Sequence, residues 1–355
     1  MDGFSVLNPP QQRGGDGQDS TLVDLVRAAV ERDDADAWKV WLDDMWCHAL
    51  PLGYRSRGQG WKLHVSATRA SATAVLERSI AVLLRERCAF KFAKSFEHVG
   101  QLNSTHYPRG SAGKFLTAYP DDDEHFRLVA EELDRATDGL PGPTLLPDRP
   151  YRPDSLVHYR YGAFAGRTVL SNDGYYRFLL EGPDGALIEK RRDAWFTPLA
   201  WAHTPLDGEA APAVAGGEAR PVRPGDRFIV REAIRHAYRG GVYRATDTRT
   251  DAEVVVKPAR AHVESYHKGW DVREALRHEA EILDLLAPLD IAPRKIALFE
   301  QDGHIFLAEE LILGTSLSTC LRIAALPRGR SETERGFGGR LWGTPPTPGH
   351  RNRLR

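Results

Sequence analysis

The spacing of apolar side chains divides the amino-terminal part of the chain into short helices and strands. Apolar residues recur at helical spacing from Leu22 to Val30, which predicts a helix that begins near Ser20. The segment WKLHVSAT, residues 61–68, alternates as a β-strand does, so its neighbouring side chains lie on opposite faces. The same patterns predict an amphipathic stretch at 35–46, a helix at 71–87, strands at 89–93 and 114–119, a helix that opens at Asp121 or Asp122 and stops at Gly139, a strand at 155–164, and a hairpin turn at 183–185.

A second set of elements begins at Gly225 and is separated from the first by a segment without periodicity. Residues 207–224 are mostly Ala, Gly, Pro and Glu, which predicts an interdomain linker. Residues 1–19 and 319–355 also lack helical or strand spacing, and we expect the first to be disordered and the second to be a disordered or aberrant tail. The elements predicted after the linker are strands at 228–232, 254–259, 295–300 and 304–310, a glycine-containing turn within 238–246, and a helix at 272–286.

Composition narrows the class of protein without naming a function. A chain of 355 residues has room for two domains, which we place at 20–206 and 225–318. Its 48 basic and 49 acidic side chains nearly cancel, which argues against a dedicated nucleic-acid-binding protein. No apolar run reaches the roughly 18 residues of a membrane span, and the amino terminus lacks a secretory signal pattern, so a cytoplasmic protein without a membrane partner is expected. The three cysteines lie far apart and predict neither a disulfide framework nor a metal cluster.

The strand at 61–68 carries the first chemical signal. Lys62 and His64 share one face, while Leu63 and Val65 share the other and anchor the strand in a core. A cation beside an imidazole suits removal of a proton from carbon and delivery of a proton to a leaving group. A half-buried strand with a polar outer face would show the same pattern, so the strand alone leaves both interpretations open.

Four segments in order carry a resemblance to a known family. They are WKLHVSAT at 61–68, FKFA around Lys91, YPRGSAGKFLTAYP at 107–120, and RPYRPDSLVHYRYGAF at 149–164. Together they resemble the phosphoserine/phosphothreonine lyase domain of class III and class IV lanthipeptide synthetases, which is similar to bacterial effector phosphothreonine lyases. The part after the linker looks like the amino-terminal lobe of the protein-kinase-like domain that follows the lyase in those enzymes. The resemblance implies an α+β protein and covers about 34–317 of the chain.

The lyase resemblance implies a β-elimination that turns phosphoserine or phosphothreonine of a ribosomal precursor peptide into dehydroalanine or dehydrobutyrine. It makes Lys91 the base and His64 the acid, and it needs no cofactor. A lysine acts as a base only when neutral, and we expect Phe90 and Phe92 to lower its pKa from about 10.4 by desolvation. His158 is expected to pack or to support the site rather than to react. The residues that the resemblance assigns to the phosphate are Lys62, Lys114, Arg109 and Arg160.

The kinase resemblance implies a nucleotide site that uses ATP and Mg²⁺ in the full-length family. Lys257 would contact nucleotide phosphates, with Glu279 as its partner on the helix, and Glu310 would begin the hinge. Gly240 and Gly241 would lie in the turn that covers the phosphates. The sequence contains neither an HRD-like nor a DFG-like segment, so we expect no phosphoryl transfer by this chain alone. The pattern is that of a truncated synthetase, and a separate chain could supply the remaining kinase lobe and the cyclase.

Two other functions remain open on the sequence. The chain could be a non-catalytic fragment that binds phosphopeptides, or a Ser/Thr protein-kinase-like protein, although the missing catalytic loop disfavours the second. The three acids at 121–123 resemble a metal cluster, but acids ahead of a helix more often cap it and offset its dipole. No metal site is predicted.

Overall fold

The computed structural model describes residues 20–164, 168–170, 176–189, 196–197, 199–206, 222–264 and 270–314. The segments predicted as the disordered amino terminus and as the tail, and nearly all of the predicted linker, lie outside the described residues. The helices are α1 Ser20–Asp34, α2 Ala72–Arg85, α3 Phe96–Asn103, α4 Asp123–Thr137 and α5 Val272–Leu286. The strands are β1 Trp38–Leu42, β2 Trp46–Pro51, β3 Gln59–Val65, β4 Ala89–Ala93, β5 Leu116–Tyr119, β6 Arg149–Pro150, β7 Val157–Ala163, β8 Thr168–Leu170, β9 Tyr176–Glu181, β10 Leu187–Glu189, β11 Phe228–Ala237, β12 Gly240–Asp247, β13 Glu253–Ala259, β14 Lys295–Gln301 and β15 His304–Glu310.

In the part of the chain described here, the first seven strands form one sheet in the order β1-β2-β4-β5-β3-β7-β6. Every neighbouring pair is antiparallel. Helices α1, α2 and α4 pack together, and α4 also contacts β3 and β7. Leu63, Phe90 and Phe92 are fully buried in the core beneath these helices, where burial of each side chain contributes about 1.5–3 kcal/mol. The mixed helix-and-sheet class predicted from the sequence is confirmed.

The amphipathic stretch at 35–46 folds mainly as an antiparallel hairpin of β1 and β2. Trp38 pairs with Pro51, and Leu42 pairs with Cys47. Asp43 closes the turn, because its carboxylate accepts hydrogen bonds from the backbone N–H groups of Met45 (2.9 Å) and Trp46 (2.6 Å). An aspartate that bonds its own backbone a few residues on is a turn signal, and it ends the amphipathic pattern before a helix can propagate.

The helix predicted to open at Asp121 or Asp122 is α4, and its first residues act as a cap. The Asp122 side chain accepts a hydrogen bond from the backbone N–H of His125 (2.8 Å), which satisfies one of the free donors at a helix start. Gly139 follows the helix with a φ of +75°, as its predicted stop requires. Helix α3 was not predicted, because its eight residues include Gly100 and hold little apolar periodicity.

Two smaller sheets follow the seven-stranded sheet. Strands β8, β9 and β10 form an antiparallel meander, with the predicted hairpin turn at 183–185 between its last two strands. The described residues after 222 form a five-stranded antiparallel sheet in the order β11-β12-β13-β15-β14. Helix α5 packs on this sheet and begins with a capping box between Asp271 and Glu274. None of the helices in the described ranges is long and apolar enough to cross a membrane.

The first and last sheets meet at a junction formed by loops. Arg69 pairs with Glu264 at 2.8 Å, and Arg260 donates a hydrogen bond to the carbonyl oxygen of Thr144 at 2.6 Å. Ala112 packs into the same apolar cluster as Tyr238. The loops that border the candidate site of the first sheet are therefore held by residues of the five-stranded sheet.

Candidate functional site

The face of the first sheet opposite the helices carries a row of polar side chains. The strand pairing places His48 beside Lys91, Lys91 beside Thr117, Thr117 beside His64, and His64 beside His158. Paired positions in a sheet point to the same face. Lys91 and His64 are thus on one face, two strands and about 10 Å apart at their backbones. Lys62 and Arg160, which also pair, lie two residues along on that face.

The surroundings of Lys91 differ from the sequence-based expectation. Phe90 and Phe92 precede and follow it, so strand alternation turns both rings into the core on the helix side. They cannot desolvate an ammonium group on the opposite face. The ring next to Lys91 is that of Trp46, whose centroid lies 4.4 Å from Nζ. This contact is a cation–π interaction that holds the lysine over the sheet.

Asp148 forms ion pairs with several of the residues predicted to bind phosphate, and the sequence analysis did not single it out. Its side chain has no exposed surface. Oδ1 lies 2.9 Å from Nζ of Lys114 and 3.9 Å from Nη1 of Arg160, and Oδ2 lies 2.7 Å from Nδ1 of His64. Burial alone would raise the pKa of Asp148, but Lys114 and His64, with Arg160, outweigh it and hold the pKa well below its usual range.

His64 is held as a neutral imidazole when no substrate is bound. Burial is the main cause that lowers its pKa, to about 3; Lys114 acts in the same direction, and Asp148 opposes both. With Asp148 beside Nδ1, the other ring nitrogen, Nε2, is left for a ligand. The acid role implied by the family resemblance therefore requires a charge that raises the pKa of His64 when substrate binds.

His158 supports the loop that carries Asp148. It is 1% exposed; Nε2 accepts a hydrogen bond from the backbone N–H of Leu145 (3.1 Å), and Nδ1 lies 3.1 Å from the carbonyl oxygen of Leu156. This arrangement fits one neutral tautomer, with the proton on Nδ1. Burial lowers the pKa of His158 to about 4, so it stays uncharged at neutral pH.

The neutral state of His158 predicts a stability that depends on pH. Because its folded pKa of about 4 lies below its unfolded value of about 6.5, its contribution is fully present above pH 6.5. It is lost as the pH falls towards 4. Urea unfolding at pH 7 and pH 5 should show a loss of about 1–2 kcal/mol in the free energy of unfolding from this group. A His158→Gln variant should show a smaller loss between the two pH values, and an equal loss would contradict the assignment.

Lys62 lies at the same site, whereas Arg109 contacts none of the charged groups around Asp148 among the described residues. Nζ of Lys62 donates a hydrogen bond to the carbonyl oxygen of Ala163 (2.7 Å) and lies 5.7 Å from the ring centroids of both Tyr119 and Phe164. Arg109 makes no hydrogen bond or ion pair with the groups around Asp148 in the described part of the chain. Nε and Nη1 of Arg109 are buried without a partner among the described residues.

His48 is a further polar neighbour of Lys91 that the sequence did not reveal, and Asp43 pairs with it. His48 is 2% exposed, and its Nε2 lies 2.9 Å from Oδ2 of Asp43. Its ring stacks on Trp41 with centroids 4.8 Å apart. The strand beside Lys91 is therefore fixed by a stacked and paired imidazole.

The five-stranded sheet holds a second cluster of charges around Lys257. Nζ lies 2.7 Å from Oε1 of Glu279 on α5 and 2.6 Å from Oε1 of Glu309 on β15. Burial would lower the pKa of Lys257, but the hydrogen bonds to Glu279 and Glu309 outweigh it and raise the pKa. Glu310, which the sequence assigned to the hinge, points to the other face of β15 and pairs with Arg294 at 3.1 Å.

Gly240 and Gly241 allow close backbone packing in the turn assigned to nucleotide phosphates. Both residues are buried. A Cβ at Gly240, whose φ is +145°, would lie 1.9 Å from the carbonyl oxygen of Pro258. A Cβ at Gly241 would lie 2.6 Å from the ring of Tyr243. Glycine is required at 240 by this packing whether or not a nucleotide binds, whereas a side chain at 241 would meet only the end of the Tyr243 side chain.

Comparisons with known proteins place this architecture among relatives. The family model described as the amino-terminal domain of RamC matches residues 26–216. A Streptomyces coelicolor protein described as a probable SapB synthase is 34% identical over 298 residues, which is 82% of this chain and 31% of that protein. The chain thus spans about a third of the length of this curated relative.

Two solved structures of phosphothreonine lyases also match. The type III effector OspF of Shigella flexneri is 17% identical, with a TM-score of 0.30, and the match covers 39% of this chain and 75% of that chain. A second phosphothreonine lyase is 15% identical, with a TM-score of 0.29, over 45% of this chain and 81% of that chain.

Proposed function

The chain belongs to the RamC amino-terminal domain family, and from that premise we propose that its first sheet eliminates phosphate from a phosphorylated peptide. The substrate is phosphoserine or phosphothreonine in a ribosomal precursor peptide, and the products are dehydroalanine or dehydrobutyrine and inorganic phosphate. This is a dehydration step of lanthipeptide biosynthesis of class III or class IV. The observation that carries the proposal is that Lys91 and His64 face the same side of the sheet, beside cations gathered around Asp148.

The proposed reaction uses Lys91 and His64 on two sides of one substrate residue. Because the Trp46 ring favours charged Lys91, Lys91 must first give up its own proton. Neutral Lys91 then takes the proton from Cα, the electrons of that C–H bond form the Cα=Cβ double bond, and the Cβ–O bond breaks. The electrons of the broken bond leave with the phosphate, and His64 donates a proton to the departing oxygen. The Cα–H and the phosphate oxygen are on adjacent carbons, so a long lysine and an imidazole separated by two strands can reach them from opposite sides.

The charges around Asp148 explain how His64 would become an acid. Lys62, Lys114 and Arg160 bring three cations to the phosphate, and an arginine fork suits phosphate oxygens in particular. A phosphate dianion beside Nε2 favours the charged imidazolium and opposes the effect of burial. Asp148, 2.7 Å from Nδ1, stabilises the same state. Binding of the phosphorylated side chain thus supplies the negative charge that raises the pKa of His64.

The test is elimination from a phosphothreonine peptide in the presence of a chelator and without nucleotide. We expect the peptide to lose the mass of one phosphoric acid, whereas hydrolysis would return the alcohol. The dehydro product also accepts a thiol, which provides a second assay. Tight binding without loss of mass would favour the alternative of a non-catalytic phosphopeptide-binding fragment.

We also propose that the five-stranded sheet is the nucleotide-binding half of a protein-kinase-like unit. Its strand order and the contact of Lys257 with a glutamate on α5 support this reading. Two of the three hydrogens of the Lys257 ammonium group serve Glu279 and Glu309, which leaves the third for a phosphate oxygen. In the full-length family, ATP with Mg²⁺ would supply the phosphoryl group that the lyase later removes.

A Lys257→Met variant separates the two proposed sites. It should weaken any ATP binding about 10–100-fold through loss of a charged hydrogen bond, while elimination from a phosphopeptide continues at the wild-type rate. ATP binding can be followed by equilibrium dialysis, with Lys295→Met as the control, because Lys295 pairs with Asp284 elsewhere on the sheet. An equal affinity in wild type and Lys257→Met would remove the lysine from the nucleotide site.

A further inference from the structure

A second group of cations lies at the junction of the two sheets, apart from the contacts of Asp148. Arg109 belongs to a turn in which the backbone N–H groups of Ser111 and Ala112 donate to the carbonyl oxygen of Pro108. Arg260 directly follows β13 on the other side of the junction. Its guanidinium carbon lies 5.2 Å from the ring centroid of Tyr238.

The polar atoms at this junction lack the partners that buried groups normally have. Nε and Nη1 of Arg109 and Oη of Tyr238 are buried without a hydrogen-bond partner among the described residues. Tyr238 is 2% exposed and Arg260 is 8% exposed. Arg260 donates to the carbonyl oxygens of Tyr238 (2.9 Å) and Thr144 (2.6 Å). No carboxylate of the described ranges pairs with either arginine.

Arg260 is buried and Arg109 is half-buried, and guanidinium groups that lack a carboxylate partner among the described residues are costly in such places. A buried charge is tolerated when it is paired with an opposite charge and hydrogen-bonded. Backbone carbonyls give Arg260 hydrogen bonds but no opposite charge. Burial is the main cause that lowers the pKa of both Arg109 and Arg260; each interacts electrostatically with Tyr243, and Arg109 further lowers the pKa of Arg260. An anion bound between Arg109 and Arg260 would supply the opposite charge that both guanidinium groups need.

The walls of the junction are fixed by close packing. A Cβ at Gly113, whose φ is +78°, would lie 2.5 Å from Oη of Tyr238. Tyr243 covers Gly241, and Gly240 lies against the backbone of Pro258. The Tyr238 hydroxyl therefore lies against backbone that leaves no room for a side chain at Gly113, and a binding site requires such fixed walls.

We propose that Arg109 and Arg260, with the hydroxyl groups of Tyr238 and Tyr243, bind a phosphate group in a second site at the junction. Arginine pairs and hydroxyl donors suit a tetrahedral oxyanion, because the planar fork offers parallel hydrogen bonds to two of its oxygens. The phosphate could belong to a phosphorylated peptide side chain or to a nucleotide, since the site lies between the two proposed sites. Arg109 then serves this site in place of the lyase site to which the family resemblance assigned it.

The test compares phosphate-induced stabilisation in four proteins: wild type, Arg109→Met, Arg160→Met and the double variant. Each occupied site should raise the melting temperature by about 3–6 °C at inorganic phosphate ten times above its Kd. With two sites, wild type shows both increments, each single variant shows one, and the double variant shows none. If Arg109 and Arg160 serve one site, either single variant loses the whole effect, and the proposal fails.

Melting without phosphate gives an independent readout. Because Nε and Nη1 of Arg109 have no hydrogen-bond partner in the ranges that the structure describes, Arg109→Met should melt at the same temperature as wild type or higher in phosphate-free buffer. A clear drop would show that Arg109 is paired in the fold, which contradicts the proposal. Arg109→Lys keeps the charge without the fork and should lose most of the phosphate effect.

The source of the phosphate is identified in the Arg160→Met protein, where only the junction site remains. Stabilisation by a phosphothreonine peptide that is absent with the unphosphorylated peptide would assign the site to substrate. Stabilisation by ATP, but not by the peptide, would assign it to nucleotide. If inorganic phosphate, peptide and ATP all leave this protein unchanged, no second phosphate site exists. These outcomes do not depend on elimination, so the junction site can fail while the proposed lyase stands.

Discussion

Replacing Lys91 with methionine is expected to lower the rate of phosphate elimination about 10²–10⁴-fold, the usual contribution of a positioned general base. Methionine keeps the length of the side chain and its contact with the ring of Trp46, which now lies 4.4 Å from the ammonium group. The loss should fall on kcat, because the phosphate is held by other cations. The decrease in kcat can be measured by following formation of the dehydro product with mass spectrometry.

Two further variants test whether the lower elimination rate of Lys91→Met is caused by loss of a general base. Lys91→Arg keeps a cation that does not lose its proton near neutral pH, so it should bind phosphopeptide but eliminate as slowly as Lys91→Met. Lys39→Met is the matched control, because Lys39 also lies over a tryptophan ring, that of Trp41, at 5.8 Å, and is placed on the edge strand β1. Wild-type turnover by Lys91→Met would assign the base to another residue.

The sequence predicted which faces the reactive side chains share, because strand alternation depends on local order alone. It placed Lys62 with His64, and His158 with Arg160, and the structure has both pairs on one face. It could not predict which strands are neighbours or their register, since these depend on contacts between distant segments. The alignment of Lys91 with Thr117, and so with His64, is a result of the fold.

The contacts that the sequence interpretation missed lie where periodicity gives no information. Asp148 is in a proline-rich turn, and nothing in its neighbours marks it as the centre of the cation group. Glu309, which the sequence did not single out, contacts Lys257, and Glu310 at the next position points to the other face of the strand. Arg109 is on a turn whose direction the sequence does not define.

Removal of the Asp148 charge should be the most damaging single change in the first sheet. Asp148→Asn keeps the shape of the side chain but leaves Lys114, 2.9 Å from Oδ1, without its counter-charge in a fully buried place. Breaking a buried ion pair on one side costs about 3–5 kcal/mol. The free energy of unfolding by urea at pH 7 should fall by that amount, and elimination should be lost as His64 loses the group beside Nδ1.

The pH dependence of the difference in unfolding free energy between wild type and Asp148→Asn tests whether the lost charge causes it. The folded pKa of Asp148 lies below its unfolded value of about 3.9, so its stabilising contribution is present above pH 3.9 and declines as the pH falls further. The gap between wild type and Asp148→Asn should therefore be constant from pH 7 to about pH 5 and shrink towards pH 3. Asp184→Asn, at an exposed turn, should show no gap at any pH. A gap that persists unchanged at pH 3 would mean that the variant acts through packing, because only a charged carboxylate can lose its contribution by taking up a proton.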